Sequence, residues 1–281
     1  MRRGLRTVAF YCGLAAFTLF SVFPGIWMVL TVFKRNTDLY SIAANPFWFH
    51  PGPTVRHLLF LFTGTHFLRF ALNSLLIGAC VVPITLLLSV PAAYALARLT
   101  GRWGERSGMV LFLVYLIPPT LLFLPMYQVV TFLGLANTLW ALVLVYPTIT
   151  VPFCTWLLLG FFKSIPRDLD EAAMIDGCSR FEAFRRAVLP LALPGIGACV
   201  VFAFSLQLSD YIYAATFVTA TGAMPVSVGV PTELIRGDVF FWQGLMAADA
   251  IVAIPLMLAY GLLFERLVSG FQSAETAAAG S

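Results

Sequence analysis

Residues Ile165 to Pro190 read IPRDLDEAAMIDGCSRFEAFRRAVLP. This is the one long charged stretch in a very apolar chain. Asp168, Asp170, Glu171, Asp176 and Glu182 lie in it beside Arg167, Arg180, Arg185 and Arg186. Pro166 suits the first turn of a helix, and the acidic residues that follow complement the positive end of a helix dipole. Gly177 stands where a helix ends on a left-handed residue. Ser179 and Glu182 then form an S-x-x-E capping box that opens a second helix. On it Phe181, Phe184, Arg185 and Val188 recur at helical spacing, placing an apolar edge beside a basic one, and Leu189-Pro190 closes it. The reading is helix, glycine turn, helix. Each helix is too short to persist alone in water. Two roles fit: a helix pair lying at lipid headgroups, or a docking element for a soluble subunit.

Composition decides what surrounds this element. Of 281 residues, 60% are hydrophobic and 11% are charged, with a mean hydropathy of +0.91. A soluble domain carries about 25% charged residues, so the chain is an integral membrane protein. The basic residues are scattered between apolar spans, which excludes a nucleic-acid footprint. Cys12, Cys80, Cys154, Cys178 and Cys199 have neither metal-ligand nor disulfide spacing, and His50, His57 and His66 match no ligand pattern. No metal site and no catalytic constellation are expected. The sequence contains no G-x-x-x-x-G-K-[ST] loop with which to cradle ATP phosphates.

Six spans flank the charged stretch. They are read at about Val8 to Phe33, Phe70 to Ala97, Met109 to Leu133, Leu139 to Phe162, Leu191 to Leu208 and Gly244 to Phe264. The first is too long for a signal-peptide core. Lys34 to Arg69 is a polar connection whose Phe47-Trp48-Phe49 suits an interfacial aromatic belt. Pro118, Pro119 and Pro125 predict that the third span is kinked or broken. Alternating loops place Arg2, Arg3, Arg6, Arg98, Arg102, Arg106, Lys163, Arg167, Arg180, Arg185, Arg186 and Arg266 on one side. Lys34, Arg35, Arg56, Arg69 and Arg236 fall on the other. The positive-inside rule then puts both termini and the charged stretch in the cytoplasm. The fold class is all-α integral membrane with six transmembrane helices.

The charged stretch resembles the EAA loop of binding-protein-dependent ABC transporter permeases. It shares Glu171-Ala172-Ala173, then Asp176-Gly177, then an apolar position and Leu189-Pro190. Asn73-Ser74-Leu75 and the run Ala92-Ala93-Tyr94-Ala95-Leu96-Ala97-Arg98 resemble the sugar, maltose-type branch. Pro125-Met126-Tyr127 and Gly134-Leu135-Ala136-Asn137-Thr138 resemble that branch too. The resemblance implies the type I ABC importer permease fold, in a multi-pass protein of the bacterial inner membrane. It implies a coupling helix that inserts into an ATP-hydrolysing subunit through Glu171, Ala172, Ala173, Asp176, Gly177, Phe181, Leu189 and Pro190. No cofactor would bind this chain, and ATP would be used by the partner. Implied partners are a second homologous permease, two ATP-binding cassette subunits, an extracytoplasmic substrate-binding protein and membrane lipid, with no nucleic acid. The resemblance divides the chain into an N-terminal transmembrane helix and external loop at residues 1–68, the ABC transmembrane type-1 domain at 69–270 and a short cytoplasmic tail at 271–281.

For the solute pathway the candidates are Gln207, Asp210, Tyr211, Tyr213 and Asp249, polar or aromatic groups in or beside apolar spans. Asp210 reads equally as a helix cap, and Asp249 as a polar partner inside the bundle. Leu208-Ser209-Asp210-Tyr211 departs from the W-N-x-F of sugar-permease relatives. Thr216 to Asp238, rich in Gly, Pro and Thr, reads as an external loop, either plain surface or a contact to the binding protein. The competing class is a self-powered secondary carrier, which needs buried ionisable residues and usually an internal repeat. Asp249 alone would serve it.

Overall fold

Prolines and polar breaks divide this apolar chain into helices. The computed structural model describes residues 2–41, 45–50, 52–237 and 239–279. In order, the helices are α1 (Arg2–Val32), α2 (Asn36–Tyr40), α3 (Arg56–Thr63), α4 (Phe67–Arg98), α5 (Arg102–Tyr115), α6 (Pro119–Phe132) and α7 (Leu139–Ser164). They continue with α8 (Asp168–Ile175), α9 (Arg180–Ala183), a π turn (Phe184–Val188), α10 (Leu189–Leu191), α11 (Leu193–Ser209), α12 (Ile212–Phe217) and α13 (Val226–Leu234). A two-stranded hairpin, β1 (Ile235–Arg236) and β2 (Val239–Phe240), precedes α14 (Trp242–Ala279).

Among the described residues, four helices are long and apolar enough to cross a membrane unbroken: Arg6–Val32, Phe67–Arg98, Leu139–Ser164 and Trp242–Leu262. Two bent pairs bring the count to six: Trp103–Tyr115 with Pro119–Phe132, bent by 88°, and Arg180–Leu191 with Leu193–Ser209, bent by 72°. The expected break of the third span falls at Pro118-Pro119. Two adjacent residues there lack an N–H, and a residue before proline is pushed out of the helical region. Pro118 accordingly adopts ψ 123°. The last helix runs on to Ala279, so the expected short tail is helical.

The chain divides into two compact units, Met1–Leu68 with Val230–Pro255, and Arg69–Gly229 with Leu256–Ser281. In the first unit a buried lysine fastens the polar connection to α1. The Lys34 ammonium donates to the Pro46 carbonyl and sits 4.9 Å from the Trp27 ring, where the ring face is attractive to a cation. Phe47 packs on Trp27 at 5.7 Å, so this aromatic is partly an internal contact, while Trp48 is exposed. His50 pairs with Asp38 and His66 with Glu233.

The second unit holds the core. Ala93, Tyr94 and Ala97 of α4 meet Cys154, Leu158 and Phe162 of α7, Val188 of the π turn and Cys199 of α11. Thr85 and Thr150 share a 2.6 Å hydrogen bond between α4 and α7, the kind of polar link that joins helices in lipid. The Thr216 to Asp238 stretch departs from the expected loop, although Asp238 itself lies outside the described residues. Met224, Val226 and Val228 are buried. The start of α4 straps this segment down. Asn73 Nδ2 donates to the carbonyls of Gly222 and Met224 at 3.1 and 2.9 Å, and Ser74 Oγ accepts from the Val226 N–H at 2.9 Å. Gly229 lies against the Phe70 ring, where a Cβ would stand 2.5 Å from Cγ.

Replacing Asn73 by Ala leaves the Met224 carbonyl without its donor, while the Gly222 carbonyl keeps the Arg69 Nε at 2.9 Å. The expected loss is about 1–3 kcal/mol of stability, read as a lower unfolding midpoint of the purified protein in mild detergent. An unchanged midpoint contradicts the strap.

Candidate functional site

The charged stretch folds as its residue pattern dictates. Asp168, Asp170 and Glu171 occupy the first turn of α8, where the unpaired amides favour carboxylates. The first turn starts after Pro166, which precedes the helix rather than entering it. α8 closes in a Schellman arrangement. The Cys178 N–H reaches the Ala173 carbonyl at 3.0 Å and the Gly177 N–H reaches Met174 at 3.1 Å, with Gly177 at φ +88°. That conformation suits glycine because it has no Cβ to clash.

The capping box forms in full. The Glu182 N–H donates to Ser179 Oγ at 3.3 Å, and the Ser179 N–H donates to Glu182 Oε2 at 2.9 Å. The Ser179 N–H and hydroxyl, then the Arg186 charge, hold the Glu182 carboxyl below the usual glutamate range. Leu189-Pro190 does not stop the helix, which continues to Leu191 through the π turn. Pro190 brings no N–H, and its ring would press on the carbonyl four residues back. The wider turn relieves this, with the Leu189 N–H donating five residues back to Phe184.

The pair of helices has an inner and an outer face. Ala183 and Val188 are fully buried, and Phe184 stacks near Tyr94 at 4.5 Å. Outward stand Glu171, Ala172, Asp176, Gly177 and Phe181, with Ile175 85% exposed although it is an isoleucine. Ala173 and Leu189 are half-buried and Pro190 is exposed. Exposed apolar groups framed by acids and small residues make a surface that fits a protein cleft.

Sequence reasoning quoted Tyr94, Arg98 and Asp170 without giving them a role. The structure joins them across α4 and α8. Arg98 Nε lies 2.9 Å from Asp170 Oδ2, and the Tyr94 hydroxyl donates to Asp170 Oδ1 at 2.8 Å. The local signal was a tyrosine and an arginine one turn apart at the end of an apolar helix.

The pathway candidates separate. Gln207 is fully buried, and neither end of its amide has a hydrogen-bond partner among the described residues. Asp210 caps α12: its carboxylate accepts from the Ala214 N–H at 3.1 Å and from the Tyr146 hydroxyl at 3.0 Å. Tyr213 is turned inward and donates to the Pro119 carbonyl at 2.7 Å. It is a strut between α12 and α6. Tyr211 is exposed. Asp249, in the other unit, is also exposed and has no hydrogen bond or ion pair with a described residue. No group of three or more metal-type side chains occurs among the described residues.

A multi-span helical membrane protein carrying a cap-stabilised charged hairpin with an exposed outer face is the class that fold and site define. The family model described as "Binding-protein-dependent transport system inner membrane component" matches residues 89–272, and the chain belongs to that family. Its sequence is 33% identical over 251 residues to the sulfoquinovosyl glycerol transport system permease protein SmoH of Agrobacterium fabrum, covering 89% of this chain and 86% of that one. It is 30% identical to the trehalose/maltose transport system permease protein MalG of Thermococcus litoralis, covering 95% of each. The inner membrane ABC transporter permease protein YcjP of Escherichia coli is 30% identical, covering 96% of each. The fold matches a chain in the crystal structure of a bacterial ABC transporter involved in the import of the acidic polysaccharide alginate. That match has a TM-score of 0.77 at 17% identity and covers 93% of this chain and 96% of that one.

Gln207→Leu removes an amide that is buried without partners, so the unfolding midpoint in detergent is expected to hold or rise. A fall equivalent to more than about 1 kcal/mol would show that the amide has a partner.

Proposed function

We propose that this chain is a membrane-spanning permease subunit of an ATP-driven bacterial importer for a sugar or a related polar solute. A second homologous permease, two ATP-binding cassette subunits and an extracytoplasmic binding protein complete the assembly. The observation that carries this reading is the α8–α9 hairpin. Its outer face presents Glu171, Ala172, Asp176, Gly177 and the exposed Ile175 and Phe181, while its inner face is anchored in the bundle. Relatives named for the transport of sulfoquinovosyl glycerol, trehalose and maltose, and diacetylchitobiose support the solute class.

In this mechanism the chain has no ATP chemistry of its own, in keeping with the missing phosphate loop. ATP closes the pair of partner ATPases, and the cleft that holds α8 and α9 carries them along. The hairpin displaces the ends of the spans, and a cavity between the two permeases opens outward to receive solute. Small Ala172 and Ala173 permit close approach, and Gly177 sets the turn. The excess of Lys and Arg on one set of loops supports a cytoplasmic position for both termini and this hairpin, on the side where ATP is. Tyr211 and Asp249, exposed in this subunit, are the residues placed to meet solute or the second permease.

Purification of the tagged chain from its own cells in mild detergent should recover an ATPase. Gly177→Trp, which enters a left-handed position with an indole, should lose that ATPase while still inserting in the membrane. A chain that purifies alone yet transports in vesicles contradicts the reading and favours a self-powered carrier.

A further inference from the structure

Two consecutive carboxylates in α8 have different surroundings. Asp170 is buried at the end of α4, whereas Glu171 is exposed, as expected for neighbours about 100° apart around a helix. Three hydrogen bonds and one ion pair tie the segment around Asp170 to the last turns of α4. The Arg98 guanidinium pairs with Asp170 at 2.9 Å and donates to the Ile165 carbonyl at 2.7 Å. The Tyr94 hydroxyl donates to the other Asp170 oxygen at 2.8 Å. From the opposite direction, Arg167 donates to the Ala97 carbonyl at 3.3 Å. The two charged side chains are only 7% and 11% exposed, so water does little to screen them. The Tyr94 ring is itself wedged between Phe162 and Phe184 at 5.8 and 4.5 Å.

We propose that Tyr94, Arg98 and Asp170 form the joint through which the α8 hairpin drives α4, with all three acting as positioning residues for coupling. This deepens the permease reading above and rests on it. α8 has eight residues and cannot hold its own orientation. Its register on the bundle must come from side chains. Asp170 supplies it: with one oxygen on Arg98 and the other on Tyr94, rotation of α8 is fixed, and Glu171 and Ile175 are thereby turned outward. The same bonds make the joint stiff in both directions. A displacement of α8 by a partner is passed to α4 rather than spent in the loop. A movement of α4 driven from the far side of the membrane likewise reaches the docking face. A hydrophobic contact would allow sliding, whereas a buried carboxylate with an ion pair on one oxygen and a hydrogen bond on the other is held at a set distance from both partners.

The test uses the intact complex in lipid nanodiscs, with the binding protein purified from the same cells as the probe. The quantity read is the ratio of ATP hydrolysis with that protein to hydrolysis without it, in preparations whose subunit ratio matches the unaltered complex. Asp170→Asn and Arg98→Gln should each lower this ratio about tenfold, the middle of the usual range for coupling between sites. The double variant should be no worse than either single, because the two residues act as one pair. Tyr94→Phe, which keeps the ring packing and removes only the hydroxyl, should lower the ratio less. It carries the test if the charged variants fail to assemble. An unaltered ratio in assembled variants, or losses that add in the double variant, overturns the joint. If the unaltered chain brings no ATPase with it, the permease reading itself has failed, a result distinct from either.

Discussion

A buried carboxylate between an arginine and a tyrosine is the constraint on which the site depends. Asp170 stands where a helix of eight residues meets the end of a 32-residue span. A buried ion pair adds little to stability compared with apolar packing, yet removing one partner costs about 3–5 kcal/mol. Arg98 also complements the negative end of α4. The pair thus makes the orientation of α8 definite: alternatives that leave either charge unmatched are penalised. The Schellman turn at Gly177 and the capping box at Ser179 then carry that orientation into α9, so one anchored residue positions the whole outer face.

Prolines set the remainder of the frame. Pro118-Pro119 turns one apolar run into a right-angled pair, and Pro190 converts the end of the α8–α9 hairpin into a π turn before the second bend. These are departures from straight helices at positions where the chain must pass from a surface element into the bundle, or from one face of it to another. The polar groups inside the second unit follow the same economy. Thr85 answers Thr150, Asn73 and Ser74 answer the backbone beyond Gly222, and Asp210 answers the amides of α12. Gln207 alone among the pathway candidates is enclosed with its amide unanswered.

Local chemistry made much of this legible. Gly177 needed a left-handed turn, Ser179 and Glu182 spelled a cap, and paired prolines required a break; all are decisions made within a few residues. What escaped the sequence is long-range. Tyr94 and Asp170 are separated by 76 positions, and no periodicity announces that an arginine at a helix end will meet one particular carboxylate among five in the charged stretch. The Thr216 to Asp238 connection misled for the opposite reason. Its glycines, prolines and threonines have loop character, while its burial comes from Asn73 and Ser74 in a distant helix. Tyr213 carried an aromatic and a hydroxyl suited to solute, but the Pro119 carbonyl claims the hydroxyl.

The most direct measurement is of distance. In a background free of native cysteines, spin labels would be placed at Asp168→Cys on α8 and Leu99→Cys beside the end of α4, both exposed positions. The distance distribution in the assembled complex would be recorded without nucleotide and after trapping with ATP and vanadate. If the Arg98–Asp170 joint makes α8 and the end of α4 one moving body, the two distributions coincide. A distribution that shifts or broadens on trapping means the hairpin slides on α4, and the account is wrong.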